Sequence, residues 1–275
     1  MPDCEQHTIK IHEFMNGGEI LNNPQPPACF IPRVGSSTVF NAHYSDVMSL
    51  FPDKYFDWAV CDIPYGIGVT KMAYLKETKT TVRQKNGNRI NPNRNKKKHT
   101  FKDWDNETPP QAYYDELKRI SKNQIIFGAD YTDWKGLGNG RIKWNKGFSE
   151  GVSFNQFEYA YCSCIDEEIE IPLLWAGMMQ AKSLSEPMVQ QGNKKLNEKR
   201  IHPCHKPVML YDAIFKKFGI YEMKVIDTHV GSGSSRITAD KFNCEFVGSE
   251  IDSEYFQDEE NRWFNYKRNL KLALW

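Results

Sequence analysis

Short apolar runs, each closed by an acid or a glycine, recur along the chain. Phe56-Asp57-Trp58-Ala59-Val60 is short enough to be a buried strand. It runs into Cys61-Asp62-Ile63-Pro64-Tyr65-Gly66, where Pro64 forbids a central strand from continuing and Gly66 permits a sharp turn. Near the other end of the chain, Lys224-Val225-Ile226-Asp227 and Glu245-Phe246-Val247-Gly248-Ser249-Glu250 repeat the arrangement. Thr38-Val39-Phe40 and residues 124–128 read as further strands, and 142–147 with 157–161 as a strand pair. Between them the apolar spacing becomes helical. Tyr113, Tyr114, Leu117 and Ile120 follow Pro109-Pro110, and Leu210, Tyr211, Ile214, Phe215 and Phe218 lie between Pro207 and Gly219. Residues 236–242 and 253 to about 267 are also helix-compatible, the latter capped by Asp252. Strands alternating with helical patterns predict an α/β domain.

Ligands of open α/β sheets bind just outside the carboxyl ends of the strands. Asp62, a rigid turn and Tyr65 placed there can hold a flat ring and take hydrogen bonds from it; the simpler alternative is a strand-to-loop turn with a capping Asp. Downstream, Asp227 is followed by Thr228-His229-Val230-Gly231-Ser232-Gly233-Ser234-Ser235. Glycines there let backbone approach a ligand, and the helix start offers free amides. Glu250, ending the next strand, can accept hydrogen bonds from ribose hydroxyls. This is half of a nucleoside-binding, Rossmann-like sheet. Arg236 follows the glycines where a dinucleotide fingerprint wants Gly or Ala, which disfavours a nicotinamide oxidoreductase.

Three stretches then carry a family resemblance. Asp62-Ile63-Pro64-Tyr65 resembles the Asp-Pro-Pro-Tyr catalytic motif of amino-group (adenine-N6 or cytosine-N4) DNA methyltransferases. Asp227-Thr228-His229-Val230-Gly231-Ser232-Gly233 resembles their Asp-Pro-Phe-x-Gly-Ser-Gly cofactor motif, and His202-Pro203-Cys204-His205-Lys206-Pro207 their His-Pro-x-x-Lys-Pro signature. The order, catalytic motif first, is that of the circularly permuted beta group, and the resemblance spans roughly residues 38–267. Ile63, Thr228 and His229 depart from the pattern; the acids and glycines do not.

The resemblance implies one catalytic domain over residues 1–275, with a methyltransferase sheet covered by helices on both faces. It implies S-adenosylmethionine as cofactor and duplex DNA with a flipped target base as substrate. Asp62, Pro64 and Tyr65 become the catalytic residues. Asp46, Cys61, Lys206, Asp227, His229, Gly231, Gly233, Ser234 and Glu250 become the cofactor residues, although Asp46 reads equally well as the cap of a helix over 47–51. Asp rather than Ser at position 62 leans, by family habit, toward adenine over cytosine. A small target-recognition segment is expected at 165–200; the alternative is a plain surface connection. No metal is implied. Cys204 lies within a different motif from the nucleophile of carbon-5 cytosine methyltransferases, which disfavours covalent catalysis.

Composition adds bounds. A chain of 275 residues, 40% hydrophobic and 26% charged, is one large domain or two small ones. A net charge of +1 leaves any nucleic-acid surface to local clustering. That clustering exists: residues 68–102 hold eleven Lys and Arg against the single acid Glu77. With little apolar periodicity, 67–102 reads as a flexible loop, and because it leaves the catalytic motif directly, Lys96, Lys97 and Lys98 are expected on phosphates rather than on a merely solvated face. Lys194 and Lys195 are further DNA-binding candidates. Seven cysteines without regular spacing argue against a disulfide framework. With no apolar run near membrane length, the expectation is a cytoplasmic protein; a homodimer stays open. Prolines 24, 26, 27 and 32 break any regular element before residue 36. A nucleic-acid binder with a relict cofactor fold is the non-enzymatic alternative, against which the intact acids and glycines speak.

Overall fold

The computed structural model describes residues 36–68, 82–83, 89–90, 105–147, 155–176, 179–190, 192, 197–202 and 204–273. Lys96, Lys97, Lys98, Lys194 and Lys195, and most of the basic stretch 67–102, lie outside them.

Eight strands form the central sheet: β1 (Ser37–Phe40), β2 (Phe56–Asp62), β5 (Ser121–Phe127), β6 (Arg141–Asn145), β7 (Phe157–Cys162), β8 (Glu168–Pro172), β11 (Lys224–Asp227) and β12 (Glu245–Ser249). Short pairs β3 (Val82–Arg83) with β4 (Arg89–Ile90) and β9 (Trp175–Ala176) with β10 (Met179–Gln180) lie outside it. The order across the sheet is β1-β12-β11-β2-β5-β7-β6-β8. The first five are mutually parallel, and β7 alone among the eight runs the other way.

Side chains alternate across a strand, and here both faces are buried. Trp58 and Val60 of β2, Ile125 and Phe127 of β5 and Phe246 of β12 enter one core. Ala59, Cys61, Ile126 and Val247 enter the other. This two-sided burial is why these strands read as continuous apolar runs.

Among the described residues five α-helices cover the faces: α1 (Tyr44–Ser49), α2 (Gln111–Ile120), α3 (Val208–Phe218), α4 (Ser234–Lys241) and α5 (Ser253–Ala273). On the first core lie Leu210, Ile214 and Phe215 of α3 and Ala239 of α4; on the second lie Val47 and Met48 of α1 and Tyr113, Tyr114, Leu117 and Ile120 of α2. The expected helix-on-both-faces arrangement is observed. Helix α3 stops at Gly219, whose φ of +65° suits glycine. Asp252 caps α5, accepting from the amides of Glu254 and Tyr255 at 3.0 Å each.

Two expectations need correction. Helix α1 starts at Tyr44 and is capped by His43, which accepts from the Ser45 amide, so Asp46 is not the cap but sits in the first turn. The segment 165–200 is no plain surface connection. That holds for its described part at 168–176: edge strand β8 comes first, and Leu173, Leu174, Trp175 and Ala176 are buried in the first core. The alternation Glu168-Ile169-Glu170-Ile171 is a half-buried strand pattern that polar composition obscured.

Candidate active site

Strands β12, β11, β2 and β5 run parallel, so their carboxyl ends share one edge of the sheet. Asp62 ends β2, Asp227 ends β11, and Glu250 follows β12. Past Asp62 the chain turns, and the Asp105 carboxylate takes the Tyr65 and Gly66 amides at 2.8 and 3.1 Å. That buried acid pins the turn from outside the motif. The Tyr65 ring packs over Gly128, where a Cβ would lie 2.4 Å from it, and stacks on Tyr131 at 4.7 Å and 17°.

Asp62 belongs to a charge network built around the buried Lys206. The Lys206 ammonium donates to its Oδ1, as does the Tyr65 hydroxyl at 3.2 Å, and Lys206 also donates to the Tyr65 oxygen at 3.0 Å. On its other side Lys206 lies 3.3 Å from Glu158 of β7, which also pairs with Lys146. Burial pushes the Asp62 carboxyl up, and Lys206 only partly offsets it. Burial opposes the Lys206 charge too, but Asp62 and Glu158 together hold its pKa above the ordinary lysine range. Glu158 is held low: burial works against its charge, and Lys206 and Lys146 outweigh it.

The glycine loop forms the other half of the site. Asp227 accepts from the His229 amide at 3.0 Å and the Ser235 hydroxyl at 2.5 Å. Glu250 accepts from the amides of Gly231 and Asp252, each at 2.9 Å. Burial raises both carboxyls to about 7, against these hydrogen bonds. Burial, with His43 nearby, lowers the His229 imidazole to about 3, so it is neutral. Gly233 precedes α4 at φ +76°, and a Cβ there would lie 2.6 Å from Glu259, so only glycine fits without displacement.

One cleft of about 320 Å³ joins the two halves. Of the residues singled out from the sequence, Asp62, Pro64, Tyr65, Lys206, His229, Gly231, Ser234 and Glu250 line it; Asp46, Cys61, Asp227 and Gly233 do not. Cys61 is fully buried beneath, accepting from the Thr228 hydroxyl at 3.4 Å, and Asp227 braces the loop from behind. Lys206 is placed at the Asp62 end, not at the glycine loop.

The sequence profile of the DNA methylases, N6/N4 type, matches residues 70–261, more than half of the chain. The chain belongs to this family. Among solved structures, the M1.HpyAVI–SAM complex is similar to the methylase with 16% identity over 82% of this chain and 100% of that one, at a TM-score of 0.43. A putative DNA modification methylase of Thermus thermophilus, complexed with S-adenosyl-L-methionine, shares 13% identity over 84% and 94% of the two chains (TM-score 0.44). The cytosine-N4-specific PvuII DNA methyltransferase shares 11% over 88% and 97% (TM-score 0.42). No curated protein matches the methylase in sequence.

The cleft of the methylase also draws on residues that sequence reasoning passed over. Ala42, His43 and Tyr44 follow β1, Asp105 and residues 107–110 precede α2, and Tyr211 and Tyr255 project from α3 and α5. Only the position of the first group, just past a strand end, was a usable signal. Cys204 lines the cleft as well, but burial and then the nearby Asp62 carboxylate push its thiol well up, away from the thiolate a nucleophile needs. Among the described residues no helix is long and apolar enough to cross a membrane.

Proposed function

We propose that the methylase transfers a methyl group from S-adenosylmethionine to the exocyclic amine of adenine in duplex DNA. The observation that carries this reading is the continuity of the cleft that joins Asp62 and Tyr65 to the glycine loop and Glu250. The donor set fits the cofactor. Glu250 uses one amide bond on each carboxylate oxygen and keeps lone pairs for ribose hydroxyls. The loop from His229 to Ser234 offers close backbone and hydroxyls, and Tyr44 and His229, packed on each other in a tilted contact, add aromatic surface to the cleft wall for a purine. When bound, S-adenosylmethionine supplies an electrophilic methyl group.

The chain's own residues would do the rest. An aromatic amine shares its lone pair with the ring and is a poor nucleophile until that sharing is broken. Asp62, accepting a hydrogen bond from the amine, would hold it out of plane, while Tyr65 stacks on the base. The base must leave the duplex to reach them, which costs a few kcal/mol. Much of the acceleration would come from alignment. No covalent enzyme intermediate is needed. Asp at position 62 supports adenine over cytosine. The positive charge of 67–102, with Lys96, Lys97 and Lys98, and that of Lys194 and Lys195 support phosphate contacts.

The test separates chemistry from binding. Asp62→Ala should abolish transfer of labelled methyl groups to duplex DNA while calorimetry still finds S-adenosylmethionine bound. Near-normal turnover in Asp62→Ala would remove the proposed mechanism.

A further inference from the structure

The charge network behind Asp62 has more parts than amine recognition needs. Asp62 takes Lys206 and Tyr65 on the same oxygen, Oδ1; among the described residues Oδ2 accepts from none. Lys206 is 4% exposed, so its ammonium is out of water and depends on fixed partners. It has two carboxylates, on different elements: Asp62 at the end of β2 and Glu158 on β7. Glu158 in turn holds Lys146, so two acids and two bases balance. A lone lysine serving only to fill the core would need neither the second acid nor the second base.

We propose that Lys206 and Glu158 are a positioning pair for the methyl transfer. Lys206 holds Asp62 ionised through Oδ1 and leaves Oδ2 for the target amine, while Glu158 fixes the Lys206 ammonium from behind. This rests on the amine-methylation reading above. It assigns Lys206 to the amine end of the cleft rather than to the cofactor, and it gives a role to Glu158, which no motif marks.

The physical case is a competition. Burial drives Asp62 toward its neutral form, in which one oxygen becomes a donor and the group is a poorer acceptor for an amine. The nearby ammonium opposes this. The other titratable groups facing the pair are the Tyr65, Tyr131 and Tyr211 phenols, the Cys204 thiol and Asp227. Burial keeps the phenols and the thiol protonated and neutral, so they add no negative charge beside Asp62, and Lys206 is the cation that touches it.

The two variants should therefore move the pH dependence in opposite directions. The readout is the single-turnover rate of methyl transfer from S-adenosylmethionine to duplex DNA, measured from pH 5.5 to 9. In Lys206→Met the acid limb should move up by about one to three pH units, with activity regained as pH rises. At pH 7 that variant should be roughly ten- to a hundredfold slow. Lys206→Arg keeps the charge and should stay nearer wild type. Glu158→Gln removes a negative charge near Asp62, so its acid limb should move down. Calorimetric affinity for S-adenosylmethionine should be unchanged in all three. An unshifted limb in Lys206→Met, slow at every pH, would overturn the proposal, as would an unshifted or upward-shifted limb in Glu158→Gln. Selective loss of cofactor affinity in Lys206→Met would overturn it in favour of a cofactor contact. If Lys206→Met does not fold, the sign of the Glu158→Gln shift decides alone. Absence of transfer by the wild type would instead defeat the underlying functional reading.

Discussion

At the scale of single residues, the site is set by what burial does to a few acids. Glu250 has its carboxyl raised to about 7 by burial, and accepting ribose hydroxyls favours the ionised form. Cofactor binding should therefore release a proton, and affinity should rise from pH 6 to pH 8 and level off beyond. Calorimetry in buffers of different ionisation heat would show it. Glu250→Gln should flatten the dependence, and Glu250→Ala should lose on the order of 1.5–3 kcal/mol, roughly ten- to a hundredfold in affinity. Unchanged affinity in Glu250→Ala would take the residue out of the cofactor site. Legibility at this scale was uneven. Asp62 and Glu250 could be read because each ends an apolar run, where an open sheet binds its ligand, and Tyr65 because it sits in the turn just past Asp62. Asp105 and Glu158 could not. Asp105 reaches the Tyr65 amide across 40 residues of sequence, and Glu158 meets Lys206 only because β7 lies beside β5 in the sheet.

At the scale of elements, the helices and central strands followed from period and punctuation. Prolines before α2 and α3 and Gly219 after α3 marked their ends, and buried runs marked β2, β5, β11 and β12. The failures came where a pattern was short or mixed: α1, six residues long, and β8, whose glutamates hid its alternation. The two glycines at helix ends allow a matched test. Gly233→Ala meets both left-handed strain, about 1–2 kcal/mol, and the Glu259 side chain at 2.6 Å. Gly219→Ala meets only the strain, since nothing lies within 4 Å of its Cβ. Thermal unfolding should therefore show a larger loss of Tm for Gly233→Ala, with weakened cofactor binding in that variant alone. Equal losses would mean that Glu259 yields without cost and that the packing under the loop does not matter.

At the scale of the whole molecule, the family and the architecture were legible from three motifs in order, because one sheet edge must gather all three. The expected DNA contacts are a different matter: their cations fall on residues 67–102 and 194–195, where the signal was charge and, for the first run, its place after the catalytic motif. Neutralising Lys96, Lys97 and Lys98 together should flatten the slope of log K for duplex DNA against log salt, by about 0.9 for each phosphate no longer neutralised. Identical slopes in wild type and triple variant would return that run to ordinary solvated surface. Methylation of an adenine amine is tested most directly by mass spectrometry of nucleosides from duplex DNA incubated with the protein and S-adenosylmethionine. The expected product is N6-methyl-2′-deoxyadenosine, absent when Asp62→Ala is used. Methyl on the cytosine amine would contradict the choice of base, and no methylated nucleoside at all would contradict methyl transfer to DNA.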